Sequence, residues 1–237
     1  MTIPSSPCGP VPHPSRSRVP SVFRRALAAT IVLLATGGCD GLVDLPATPE
    51  AVEIIPSSIR SDAIPDTLEF TIRILDERGR EIEGLSPTVA TTNQNVIHVT
   101  GSNAVVTVGN GTATLRVVAG SIFASASVEV VQVPVEAEVV AGNGQQGEPG
   151  APLPQPLVLE LRDRLGTPAA DVEVAFGVAA GDGIVDPEAM VTGANGTASA
   201  TWTLGSTLGP QRVHAFPSEQ PELITEFHAE GRATSLP

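Results

Sequence analysis

Lysine is absent from this 237-residue chain, and its 13 basic residues, all arginine, face 26 acidic ones. The resulting charge of −13 repels phosphate backbones and anionic head groups, which excludes nucleic-acid binding. Tyrosine is also absent, so the tyrosine corner of antibody-type sandwiches is ruled out. Cysteine occurs only as Cys8 and Cys39, too few for a disulfide framework. No apolar run reaches the roughly 20 residues that a spanning helix requires. After residue 45 no segment holds a 3.6-residue apolar period over three turns, so long amphipathic helices are not expected. Gly-x-Ser-x-Gly, His-Glu-x-x-His and Cys–His or Ser–His–Asp placements are missing too. The chain is therefore read as a non-enzyme with no cofactor.

What is present begins with Arg24-Arg25, followed by an uncharged run over residues 26–38 and then Cys39. Positive residues, a short apolar stretch and small residues at the end form a secretory signal. The Gly37-Gly38-Cys39 ending resembles the lipobox of bacterial lipoproteins. That resemblance implies lipid on Cys39, removal of residues 1–38, and attachment to a membrane through the lipid. The expected location is the bacterial cell envelope, at the outer membrane or cell surface. Processing would take away Cys8, four arginines and no acid, so nine arginines would face 26 acids at a net charge of −17. About 199 residues would remain, enough for one large domain or two of roughly 100.

That remainder contains one unit twice. Asp76-Glu77-Arg78-Gly79 recurs as Asp163-Arg164-Leu165-Gly166, and Asn110-Gly111-Thr112-Ala113 recurs as Asn195-Gly196-Thr197-Ala198. The motifs lie 34 residues apart in the first copy and 32 in the second. Matching order and spacing indicate two copies of one architecture. Both motifs are turn chemistry, because Gly and Asn tolerate positive φ. Both Asn-Gly-Thr triplets also match glycosylation sequons, and are read here as turns.

The segments between the turns alternate with period two. Leu68, Phe70, Ile72 and Ile74 share a face over residues 67–74; Leu157, Leu159 and Leu161 share another. Val172, Val174, Phe176 and Val178 follow suit, as do Ala198, Ala200, Trp202 and Leu204. Short alternating runs bounded by Gly, Asn, Asp and Pro mark half-buried strands. Several of them in about 90 residues indicate antiparallel β-sandwiches. The expected fold is all-β: two tandem Ig-like sandwiches after the signal segment. Phe70, Ile72, Leu115, Val117 and Val128 should share one core. Leu159, Val174, Phe176, Trp202, Val213 and Phe227 should share the other. Trp202 reads as a core anchor rather than a ligand-stacking residue.

The first copy resembles the bacterial Ig-like group 2 domain. Val52-Glu53-Ile54-Ile55-Pro56 matches its opening strand, and residues 70–76 lead to the Gly79 turn. Val96-Ile97-His98-Val99 matches a short strand, and Gly111-Thr112-Ala113-Thr114-Leu115 its late signature. The second copy resembles the invasin-type group 1 domain. It does so through Gly142-Asn143-Gly144-Gln145-Gln146-Gly147, Leu153-Pro154-Gln155-Pro156-Leu157-Val158 and Thr201-Trp202-Thr203-Leu204-Gly205. The resulting division is 1–38 signal, 39–48 tether, 49–133 first sandwich, 134–232 second sandwich and 233–237 tail. Pro134 alone joins the sandwiches, which restricts hinge motion.

Few motifs carry chemistry. Gly142-x-Gly144-x-x-Gly147 matches a dinucleotide fingerprint, but that works only at a helix N-terminus. Glu148-Pro149-Gly150 follows instead, so a loop is expected. His214 and His228 alternate with apolar residues and should face outward as cross-strand neighbours; no third zinc ligand has a defined spacing. Calcium favours clustered carboxylates at loop junctions, and Asp163, Asp182 and Asp186, with Glu188, are what the sequence offers. No Asp-x-Asp-x-Asp series organises them, so no metal site is assigned. The resemblances imply a surface structural or adhesion module, with contacts on loops 181–186 and 206–211. A glycan- or small-ligand-binding module, or an accessory subunit of an envelope complex, is the alternative.

Overall fold

The computed structural model describes residues 48–233; the signal segment and Cys39 lie outside them. The described residues form strands, turns and loops, and no helix is long and apolar enough to cross a membrane. The first half contains β1 (Ala51–Ile55), β2 (Ser58–Ser61), β3 (Thr67–Glu69), β4 (Thr71–Leu75) and β5 (Thr88–Thr91). It continues through β6 (Ile97–Val99), β7 (Ala104–Thr107), β8 (Gly111–Ala119) and β9 (Ile122–Val130). One layer has the order β2-β9-β8-β5. The opposing layer is made of two pieces, β1-β4 and β3-β7-β6.

The split of that second layer departs from the single strand expected over residues 67–74. The chain breaks at Phe70, whose N–H donates to the Asn103 carbonyl at 2.9 Å. β3 then pairs with β7, and β4 with β1. Alternation survives the break because Phe70 stays buried and carries the inward face across it. Phe70, Leu115, Val117 and Val128 are buried in one apolar cluster, and Ile72 packs against it partly exposed.

The second half contains β10 (Pro134–Ala141), β11 (Gln145–Gly147), β12 (Leu157–Asp163), β13 (Glu173–Ala180) and β14 (Ile184–Asp186). It ends with β15 (Ala189–Val191), β16 (Thr197–Thr203), β17 (Gly209–Pro217) and β18 (Thr225–Gly231). Its layers run β10-β12-β16-β14 and β11-β18-β17-β13-β15. Leu157, Leu159, Leu161, Ala198, Ala200 and Trp202 from the first layer meet Val174, Phe176, Val213 and Phe227 from the second. Trp202 is fully buried. Val178 keeps its expected face, in register opposite buried Val213, but stands 38% exposed; the register shifts only beyond it, between Val178 and Ala180. A bulge of this kind re-aims the side chains beyond it.

The Gly142 loop is followed by a strand, not a helix. β11 adds in parallel to β18 and extends the five-stranded layer. Gly142 sits at φ +86°, and a Cβ there would collide with the Pro156 carbonyl. Glycine is therefore needed twice over, for the turn and for the close approach.

Candidate functional site

The two repeated Asp turns are built alike. Asp76 accepts from the Arg78 and Arg80 N–H groups on Oδ1 at 2.8 and 2.9 Å. Asp163 accepts from Leu165 and Thr167 on its own Oδ1, at 2.9 and 3.1 Å. In each turn the glycine N–H closes back on the aspartate carbonyl at 2.9 Å. The turns differ in the second carboxylate oxygen. Oδ2 of Asp76 takes the local Arg80 guanidinium, 2.9 Å from Nε. Oδ2 of Asp163 reaches the other sandwich: it accepts from the Ile64 N–H at 2.9 Å and from Gln132 Nε2 at 2.9 Å.

Asp163 is 2% exposed. Burial works against its charge, but the donors from Gln132, Ile64, Leu165 and Thr167 outweigh that cost. They hold its carboxyl below the ordinary value, because each stabilises the ionised form. Around it Gln132 is buried as well. Gln132 Nε2 also donates to the Pro168 carbonyl at 3.2 Å, and its Oε1 accepts from the Ala170 N–H at 3.3 Å. Asn110 completes the joint: its Oδ1 accepts from Gln132 N–H at 2.8 Å, and its Nδ2 donates to the Ala170 carbonyl at 3.0 Å. Arg164 spans outward to Asp62 at 2.7 Å and Asp66 at 2.6 Å. The junction is thus a polar network in which the Asp163 carboxylate and the Gln132 amide are both matched. Matched buried networks fix geometry, whereas half-matched ones are costly.

The opposite end of the second sandwich carries the loops expected to make contacts. They pack into each other. Ser206 Oγ donates to Asp182 Oδ2 at 2.6 Å, and that bond leads the effects holding Asp182 below the ordinary carboxylate value. Buried Gln211 accepts from the Gly205 N–H at 2.8 Å and donates to the Thr207 carbonyl at 3.0 Å. Ile184 and Leu208 stand 66% and 64% exposed at this end.

His214 and His228 are cross-strand neighbours as expected, and Glu226 lies between them. Its two carboxylate oxygens are each 3.3 Å from one Nε2, and Arg212 is 3.1 Å away. Partial burial works against the charge on Glu226; His214, Arg212 and His228 overcome it and leave the pKa lowered. Asp163, Asp182 and Asp186 are not brought together: they occupy the junction, the far loop and β14 respectively. Among the described residues no group of three or more His, Cys, Asp or Glu is arranged to hold a metal.

Sequence reasoning identified Asp163 and Asn110 as turn residues and missed their role in the joint. Gln132, the centre of the network, gave no motif at all. No family model matches the chain, and no curated protein does. The group 1 and group 2 assignments therefore rest on the residues quoted for them. Solved structures do match. Invasin, a bacterial integrin-binding protein, aligns at 17% identity with a TM-score of 0.50, over 79% of this chain and 40% of that one. The Yersinia pseudotuberculosis adhesin InvE aligns at 17% identity and a TM-score of 0.48, over 77% of this chain and 58% of that one. Domains 4 and 5 of the S-layer protein SbsC align at 16% identity and a TM-score of 0.35, over 79% and 100%. The chain spans less than two thirds of the invasin and InvE structures. At these identities the likeness is one of fold: the chain is all-β, built as tandem Ig-like sandwiches.

Proposed function

We propose that the chain is a non-catalytic lipoprotein of the bacterial cell envelope, a surface structural or adhesion module held at the membrane by lipid on Cys39. Residues 49–133 form its group 2-like domain and residues 134–232 its invasin-like group 1 domain. The observation that carries the reading is the junction. A buried aspartate, a buried glutamine and an arginine pair lock two sandwiches across a linker only a few residues long. A joint of this kind supports a stiff spacer that holds one end away from its anchor, because it withholds the independent domain motion that is otherwise the default. Adhesion enters the reading through invasin, an integrin-binding protein on a fold of the same kind.

Two measurements test this. Mass spectrometry of the native N-terminus should find a lipid-modified Cys39; an unmodified start at any other residue refutes the anchor. The delipidated protein, screened against its own envelope fraction, matrix proteins and glycans with and without calcium, should bind a macromolecule without turning it over. Hydrolysis abolished by one polar substitution would overturn the non-catalytic reading. Glycan-selective binding would move the assignment to a ligand module.

A further inference from the structure

The linker is residues 131–133, between β9 and β10, rather than Pro134 alone, which opens β10; it borders two clefts, and Val131 and Val133 line both. The two are charged differently. In one, Asp62 and Asp66 are neutralised by Arg164, and Glu129 by Arg60. The other, about 430 Å³, is bordered by Asp171, Glu173 and Glu219. Its volume falls within the range of ligand-binding clefts, about 300–1,000 Å³. Its apolar wall is Val131, Val133 and Val172, and Val131 is 54% exposed. No side chain among the described residues pairs with its three carboxylates.

The described residues have no cation left to place there. Among the described residues all nine arginines are engaged elsewhere. Arg60, Arg73, Arg78, Arg80, Arg162, Arg164, Arg212 and Arg232 sit in ion pairs. Arg116 lies over the Phe123 ring, 4.2 Å from its centroid. Lysine does not occur. Three unpaired carboxylates beside an apolar wall suit a cation on an aliphatic stem. Arginine and lysine side chains have that form: the stem buries while the head stays with polar partners.

We propose that this cleft docks an arginine- or lysine-bearing apolar segment of a partner protein. The stem would lie on Val131, Val133 and Val172, with the charged head among Asp171, Glu173 and Glu219. The site belongs to the junction and does not depend on the adhesion reading.

The test uses the full chain purified in detergent and a fluorescein-labelled peptide, Val-Arg-Leu-Arg-Val, followed by anisotropy at physiological salt. The junction variant combines Asp171→Asn, Glu173→Gln and Glu219→Gln. Asparagine suits position 171 because Asp171 sits at φ +61°, which Asn tolerates. The control removes equal charge elsewhere, through Glu83→Gln, Glu136→Gln and Glu188→Gln. Peptide affinity should fall by about tenfold or more in the junction variant, since its contacts are local. The control should lose no more than about twofold, as expected for scattered surface charge. Val131→Arg, which supplies a guanidinium from the chain itself, should block the cleft. Equal losses in both triple variants would reduce the binding to general electrostatics and overturn the proposal. Absence of saturable peptide binding, or a calorimetric signal with calcium chloride and none with peptide, would also overturn it.

Discussion

Replacing Asp163 by Asn separates the two jobs of that side chain. The amide oxygen can still accept from Leu165 and Thr167, so the local turn survives. The amide nitrogen then faces the Ile64 N–H and Gln132 Nε2, each 2.9 Å from the present oxygen, and two acceptor contacts become donor–donor contacts. Hydrogen bonds to a charged group contribute about 1.5–3 kcal/mol each. Gln132 retains the Pro168 carbonyl at 3.2 Å, and the Ile64 amide regains water once the joint opens. The net cost should therefore be about 2–4 kcal/mol, below the sum of two lost bonds. Asp76→Asn is the internal control, because its second oxygen serves only the exposed Arg80; its loss should be smaller. Urea unfolding gives the stability difference. Spin labels at Ser125→Cys and Thr201→Cys, one on each sandwich, report the inter-sandwich distance distribution. Asp163→Asn should broaden that distribution, and Asp76→Asn should leave it narrow. Equal behaviour of the two variants, in stability and in width, would falsify the assignment of the joint to Asp163.

The joint should also respond to acid. The Asp163 carboxyl is held below its ordinary value of 3.8, so its stabilisation is complete above that value and is lost as pH falls through the lower folded pKa. The spin-label distribution should stay narrow at pH 5 and broaden only below about pH 4; broadening near neutrality would point to another group. Trp202→Ala removes the largest fully buried side chain and should cost about 3–5 kcal/mol by thermal or urea unfolding. Trp202→Phe should cost less, because the Trp202 Nε1 is already buried without a partner.

Much of this fold was legible because alternation is a local signal. Leu157, Leu159 and Leu161 declare their face within five residues, and all three are fully buried. The failures lie where the rule is interrupted by something distant. Phe70 keeps the inward period while the backbone on either side of it changes partners, from β7 to β1; periodicity records facing, not pairing. Val178 keeps its face opposite Val213 yet lies 38% exposed where the register of β13 against β17 shifts just beyond it, so facing does not by itself give burial. The candidate site shows the same limit. The Oδ1 partners of Asp163 lie two and four residues on, and turn chemistry reveals them. Its Oδ2 partners lie 99 and 31 residues away, and no local pattern encodes them.

One residue nonetheless tells the two turns apart. Four residues after Asp76 stands Arg80; four residues after Asp163 stands Thr167. Arginine at that place supplies a local partner for the second carboxylate oxygen, with the guanidinium 2.8–2.9 Å away. Threonine does not reach it, and the oxygen stays open for Ile64 and Gln132. The same turn is therefore closed in the first sandwich and available for joining in the second. Thr167→Arg should convert one into the other. Its backbone N–H still donates to Oδ1, so the turn persists, while the new guanidinium competes with Ile64 and Gln132 for Oδ2. A local charged donor is favoured in that contest, because it closes a short loop rather than ordering two bodies. The variant should keep the thermal stability of the second sandwich yet broaden the inter-sandwich distance distribution, as Asp163→Asn does. A narrow distribution in Thr167→Arg would mean that position four does not decide the use of the turn. The choice would then lie with Gln132 and Arg164.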